Sequence, residues 1–301
     1  MGLSYYIIYT FWYLLSLLPL SVLYIISNLL YYPLYYCLKY RRDIVRKNLV
    51  GSFPEKTSKE IIYIEKKFYA AFCDYIVETI KLMSMSKKET KRRMTFAGVD
   101  NITTAMEKEQ KNFCFIYLGH FFNWEWIASL PYWVPQDVIC GQIYHPIRNK
   151  ALDLLYLKLR GQFGGTSIPM KETLRKIIEM KRNKQKAIIG FISDQSPKRD
   201  SITHWHHFLN RETPVLTGAE KLGKQVDALI YYAEVKRIKR GYYHCEFKPM
   251  THNPKQVPDY ELTDQFTLLL ENMIKDCPYL WLWTHKRWKR TKEEWLKEQK
   301  K

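Results

Sequence analysis

No charged side chain occurs between Met1 and Leu38 of this 301-residue chain. That absence excludes a solvated N-terminal arm and leaves an apolar run longer than the roughly 20 residues needed to span a hydrocarbon core. No basic stretch precedes the run and no small-residue cleavage site follows it, so the segment is expected to stay as an anchor rather than leave as a secretory leader. The six cysteines (Cys37, Cys73, Cys114, Cys140, Cys245 and Cys277) form no C-x-x-C pair and share no spacing. A disulfide framework and a zinc ribbon are therefore disfavoured, and reduced thiols facing the cytosol fit best. No G-x-S-x-G elbow is present, which leaves a serine nucleophile without its usual setting. No nucleic-acid motif accompanies the basic charge, so no nucleic-acid partner is expected. Neither a repeat nor a low-complexity linker divides the chain after residue 38, so residues 39–301 read as one domain behind an anchor at 1–38.

What is present is apolar, aromatic and basic. With 47% apolar residues the chain can bury a substantial core. Lys and Arg number 48 against 30 Asp and Glu, a formal charge of +18. Such a field attracts anionic lipid, nucleic acid or acidic proteins. Tyr5, Tyr6, Tyr9, Tyr13, Tyr31, Tyr32, Tyr35 and Tyr36 lie in the apolar run, where tyrosines suit the headgroup belt. Pro19 and Pro33 interrupt that run, which predicts either one span with an interfacial extension or a re-entrant pair of helices. Directly after it, Lys39, Arg41, Arg42, Arg46 and Lys47 oppose only Asp43. Cations in that place mark the cytoplasmic side and attract anionic membrane lipid.

Beyond the anchor the pattern alternates. Thr57 or Ser58 can cap a helix beginning near Lys59, on which Asp74 and Glu78 share a face and are expected to be solvated. From residue 113 onward, strands are predicted at Phe113–Gly119, Asp137–Ile143, Ala187–Ser193, Ala228–Val235 and Tyr242–Pro249. Helices are predicted from about Asn123 and over Ala151–Arg160, Lys171–Lys181, Pro214–Leu222 and Asp259–Lys275. Strands alternating with helices indicate an α/β fold, whose sites collect beyond the carboxyl ends of strands. His120 and Asp194 each follow a predicted strand.

The stretch LGHFFNWEW, Leu118–Trp126, sets His120 and Glu125 among aromatic residues. On one continuous helix, residues five apart differ by about 140° and share no face. A bend between strand and helix would let Glu125 accept a hydrogen bond from one imidazole nitrogen and leave the other free to take a proton. That is the arrangement of a general base with its orienting acid.

Five stretches together resemble the bacterial lipid A biosynthesis acyltransferases, within the wider glycerolipid acyltransferase group that shares a His-x4-Asp/Glu motif. They are YRRDIVRKNLVGSFPE (Tyr40–Glu55), LGHFFNWE, YHPIRNKALD (Tyr144–Asp153), SDQSP (Ser193–Pro197) and CPYLWLWTHKRWK (Cys277–Lys289). The resemblance implies a mixed sheet flanked by helices behind a membrane anchor, on the cytoplasmic face of the bacterial inner membrane. It implies transfer of a fatty acyl chain from a thioester to a hydroxyl of a lipid A precursor, with His120 as base and Glu125 as orienter. The thioester is a co-substrate, acyl carrier protein or acyl coenzyme A, and no cofactor or metal is expected. By the same resemblance Arg160 and Asp194 position donor or acceptor, or else pair with each other across two loops, while Asn123, Tyr144 and Asn149 shape the site.

A basic rim would steer both an acidic carrier protein and a phosphorylated lipid. In the tail from His285 to Lys301, Trp288 and Trp295 can sit in the membrane interface or belong to a solvated helix. Two departures from the family pattern stand out. THWHHF puts His204, His206 and His207 where apolar and aromatic residues are usual; close imidazoles invite a metal, although no step of acyl transfer calls for one. His145 replaces a basic residue, which leaves the acceptor open. Relatives acylate other glycolipid, amino-acid lipid and polyene acceptors, so a different lipid acceptor is the alternative reading, with a non-catalytic lipid-binding scaffold behind it.

Overall fold

In the computed structural model, which describes residues 2–299, a seven-stranded mixed sheet forms the centre. Its order is β1 (Met94–Ala97), β9 (Tyr242–Thr251), β8 (Leu229–Lys239), β2 (Phe113–Leu118), β5 (Lys186–Ile192), β3 (Val138–Tyr144) and β4 (Thr166–Pro169). Neighbours are parallel except β8 and β9, which run antiparallel. β2 lies in the middle and is buried at all six positions, as expected of a continuous apolar run covered on both faces. A separate antiparallel hairpin pairs β6 (Trp205–Phe208) with β7 (Arg211–Pro214).

Helices flank this sheet: α6 (Val99–Lys108), α7 (Lys150–Gly161), α8 (Thr173–Arg182), α9 (Gly218–Val226) and α10 (Glu261–Asp276). Ahead of them come α3 (Arg42–Ser52), α4 (Ser58–Leu82) and α5 (Lys87–Arg93), and α11 (Lys292–Gln299) follows. The expected start of α4 is explained by its cap. The Thr57 hydroxyl accepts from the Glu60 N–H while the Glu60 carboxylate accepts from the Thr57 N–H, which satisfies two donors that a helix end leaves free.

Several sequence expectations are corrected. The helix expected from Pro214 begins at Gly218, because Arg211–Pro214 is used as a strand of the hairpin. The helix expected from Asn123 is a 3-10 segment, Trp124–Tyr132, with Pro131 inside it; proline lacks the N–H that a regular α-helix needs there. β1 and β4 escape a sequence reading because each has four residues, too few to show a period. Trp288 faces Phe208 and Trp281 and donates to the Thr213 hydroxyl, and Trp295 lies against Trp205. Both tryptophans thus pack on the hairpin.

The N-terminal run forms α1 (Leu3–Leu17) and α2 (Leu20–Tyr32), and a π-helical turn, Pro33–Cys37, extends α2. Among the described residues no single helix is long and apolar enough to cross a membrane, whereas the pair, bent by 117°, passes that test together. Pro19 sits at the break as the N-cap of α2.

The inner face of this pair is tied to α4 by buried polar contacts. Ser27 donates to Asp74 at 2.7 Å and Tyr24 to Glu78 at 2.8 Å, and Lys81 donates to the carbonyls of Ser16 and Leu18. Asp74 and Glu78 are therefore buried rather than solvated. The outer face leaves Ile7, Phe11, Leu14, Ile25 and Leu29 exposed.

Glu78 also accepts from Asn123 and from Tyr243. Burial raises its pKa from 4.5 to about 7, against the pull of these donors. A carboxyl whose folded pKa lies above its unfolded value favours the folded state below about pH 4.5, and that contribution is lost as pH rises through about 7. Glu78→Gln should therefore flatten the thermal stability profile between about pH 5 and 8. A parallel decline in wild type and variant would show that Glu78 does not set that slope.

Candidate active site

The register of two parallel strands assembles the site. Leu118 of β2 pairs with Ile192 of β5, and the Ser193 N–H donates to the Leu118 carbonyl at 3.1 Å. Each chain then runs two residues past its strand, which sets His120 beside Asp194. The His120 N–H donates to Asp194 Oδ2 at 2.8 Å, and His120 Nδ1 lies 2.6 Å from Asp194 Oδ1.

The C-terminal segment completes this arrangement from below. The Leu282 N–H donates to the His120 carbonyl, the Phe122 N–H donates to the Leu280 carbonyl, and the Trp281 indole N–H donates to Asp194 Oδ2 at 2.7 Å. That segment is held in turn by α3, where Asn48 donates to the carbonyls of Trp283 and His285.

The Asp194 side chain is only 1% exposed, yet it is ionised. Burial alone would raise its pKa; the His120 charge, the two hydrogen bonds from His120 and the Trp281 indole outweigh this and hold it at about 2. With the Asp194 carboxylate accepting at Nδ1, that nitrogen carries the proton and Nε2 is left as the basic atom. The His120 side chain keeps 19% of its surface exposed, enough for a substrate to approach. Gln195 Nε2 lies 3.3 Å from His120 Nε2, and the Trp124 ring meets the imidazole edge-on at 5.1 Å.

Glu125 takes a different partner from the one expected. It accepts from Arg160 Nε at 2.8 Å and Arg160 Nη2 at 2.6 Å, and from the Trp124 indole at 3.1 Å. No hydrogen bond joins it to His120; the carboxylate on the imidazole is that of Asp194, and Arg160 pairs with Glu125 rather than with Asp194. The reason is local. Asn123 caps the 3-10 segment through its Oδ1, which accepts from the Glu125 N–H, while its Nδ2 donates to Glu78. With its backbone held there, Glu125 reaches Arg160 near the end of α7. Burial would lower the Arg160 pKa, but the charge and hydrogen bonds of Glu125 raise it overall. Tyr156 lies under the guanidinium at 5.3 Å.

Tyr144 and Asn149 are structural elements of the loop between β3 and α7. Tyr144 ends β3 and is half-buried; burial, together with Asp153 and Glu172, raises its pKa. Asn149 is exposed and caps α7, accepting from the N–H groups of Ala151 and Leu152. Neither touches His120. Gln195 and Trp281, which do reach the His120–Asp194 pair, lie inside SDQSP and CPYLWLWTHKRWK, and only the strand register reveals their place.

Gly119 shows how tightly the site is packed. A Cβ there would lie 2.6 Å from Leu270 Cδ1 of α10 and 3.3 Å from Asp194 Oδ2. Gly119→Ala must displace the Leu270 side chain or the carboxylate, at an overpacking cost of about 1–3 kcal/mol. A lower melting temperature together with a slower rate is expected; wild-type values for both would show that the site yields freely.

A part-exposed imidazole oriented by a buried carboxylate can remove a proton from a hydroxyl. A search of curated proteins found no match for this chain. The sequence profile of the bacterial lipid A biosynthesis acyltransferases matches residues 2–290. Spanning the N-terminal helices, the sheet and the C-terminal segment alike, that match shows that the chain belongs to the bacterial lipid A biosynthesis acyltransferase family.

Proposed function

We propose that this chain is a membrane-bound O-acyltransferase that moves a fatty acyl chain from an acyl carrier protein thioester to a hydroxyl of a lipid A precursor, at the cytoplasmic face of the bacterial inner membrane. The observation that carries the reading is the His120 imidazole, held at Nδ1 by Asp194, with Nε2 on its part-exposed side beside Gln195. His120 Nε2 takes the hydroxyl proton as the oxygen attacks the thioester carbonyl. The tetrahedral intermediate collapses, the carbon–sulfur bond breaks, and the imidazolium returns its proton to the departing thiolate. Asp194 stabilises the imidazolium in between. The Arg160–Glu125 pair holds the end of α7 and the Trp124 indole in place beside the base. No acyl-enzyme and no metal is required by this route.

Placement at the membrane is supported by the apolar outer face of α1 and α2. Of the two, α1 leans on the helix that carries Arg160: Trp12 meets Tyr156 at 5.9 Å, and Lys158 donates to the Tyr9 hydroxyl. A lipid acceptor would therefore reach the site directly from the surface that these helices occupy. The +18 charge suits an acidic carrier protein on the other side.

The test offers the purified chain an acyl carrier protein thioester with a Kdo-bearing tetra-acyl lipid A precursor, and in parallel with lysophosphatidic acid. One added acyl mass on the lipid A precursor supports the reading. Acylation of lysophosphatidic acid alone would replace the acceptor by a phospholipid.

A further inference from the structure

The β6–β7 hairpin and α10 bring together a second group of functional side chains that acyl transfer does not use. His204 Nε2 lies 2.7 Å, and His206 Nδ1 3.0 Å, from the same oxygen of Asp264, Oδ1. The three ligand atoms fall within 4.8 Å of one another. We propose that His204, His206 and Asp264 form a structural binding site for a divalent transition-metal cation, Zn²⁺ by its donor set, which clamps the hairpin to α10.

Two residues apart on an extended chain, His204 and His206 point to the same side. That side is the one from which Phe208 enters the core. His207, the next residue along the strand, points the other way and is exposed. The His204 ring is fixed by stacking on Tyr260 at 4.4 Å, with 6° between the planes, and its carbonyl accepts from the Val215 N–H across the hairpin. Asp264 stands in the first turn of α10, three residues beyond Glu261. Two imidazole nitrogens and one carboxylate oxygen suit zinc, with water completing a tetrahedron. Zinc bonds of about 2.0–2.1 Å imply ligand atoms about 3.3 Å apart, close to the spacing already present around Asp264. The three side chains are 22%, 29% and 32% exposed, so an ion can enter and retain a water.

The clamp would hold two supports of the active site. Phe208 of the hairpin packs against Trp281 at 5.9 Å, and the Trp281 indole donates to Asp194. Leu270 of α10 fills the space above Gly119. A cation here stabilises the wall behind the His120–Asp194 pair without touching the reacting atoms.

The decisive experiment titrates the chelator-stripped full chain in detergent with zinc chloride, following bound zinc after gel filtration and the melting temperature. One equivalent bound, with a rise in melting temperature, is expected of the wild type. Affinity should fall at least tenfold in His206→Ala and in Asp264→Asn, and stay unchanged in His207→Ala. A wild-type chain that retains no zinc overturns the site, whatever the variants do. So does zinc that persists equally in His206→Ala, or that is lost with His207→Ala, either of which would mark an adventitious ion only. Melting of each variant without zinc identifies one that has merely lost its fold.

Discussion

Replacing His120 by Ala is expected to slow acyl transfer by about 10²- to 10⁴-fold, the usual worth of a positioned general base, while the chain stays folded. The ring is part-exposed, and its hydrogen-bond and aromatic partners are Asp194, Gln195 and Trp124. Removing it therefore opens little of the core. Asp194→Asn should come close to the same loss, because an amide at that position can donate to Nδ1 and favour the tautomer that carries its proton on Nε2. In the wild type, Asp194 ionises far below neutral pH. Its depressed pKa contributes stability that is present above about pH 3.8 and lost only as pH falls through about 2. Between about pH 5 and 9 the carboxylate therefore stays ionised, and no change of rate in that range should trace to it. Steady-state rates with the carrier-protein thioester, measured across that range, check this. A His120→Ala chain that turns over at the wild-type rate would remove His120 from the chemistry, and with it the proposed mechanism.

Breaking the Arg160–Glu125 pair is expected to cost the most stability, about 3–5 kcal/mol for either partner removed alone. The pair is bidentate, and the Glu125 side chain is 3% exposed. Glu125→Ala leaves a guanidinium facing Trp124, Tyr75 and Tyr156 with no anion; Arg160→Ala strands a carboxylate among the same rings. Each change should lower the melting temperature by several degrees or prevent folding. Arg160→Met combined with Glu125→Leu should recover much of that loss, since buried pairs can be replaced by apolar residues of similar volume. Chemical denaturation of the two single variants and the double variant decides the matter. Additive losses in the double variant would mean that the two side chains are not coupled. Acyl transfer measured in a double variant that has regained its stability would show what the pair contributes to catalysis.

The sequence by itself determined the elements with a strong pattern. Phe113–Gly119 reads as a buried strand because it holds no polar side chain but that of Tyr117, and Thr57 or Ser58 announces a helix beginning near Lys59, close to where α4 starts. It also determined the class of chemistry: an imidazole just after a buried strand, set among aromatic residues, points to a base, and the five ordered stretches point to the family. The broken character of the N-terminal run was visible in Pro19. Tertiary structure alone decided who meets whom. His120 and Glu125 are five residues apart and were expected to touch, yet Glu125, its backbone held by the Asn123 cap, reaches an arginine on α7. Asp194 is 74 residues from His120 and becomes its partner because β2 and β5 pair in parallel with Leu118 opposite Ile192. Asp74 and Glu78 look like a solvated pair on a helix face until α2 and β9 cover them. In each case the deciding quantity was the register or docking of elements distant in the chain. Local periodicity carries no record of that, because a side chain's partner depends on which surface arrives to bury it.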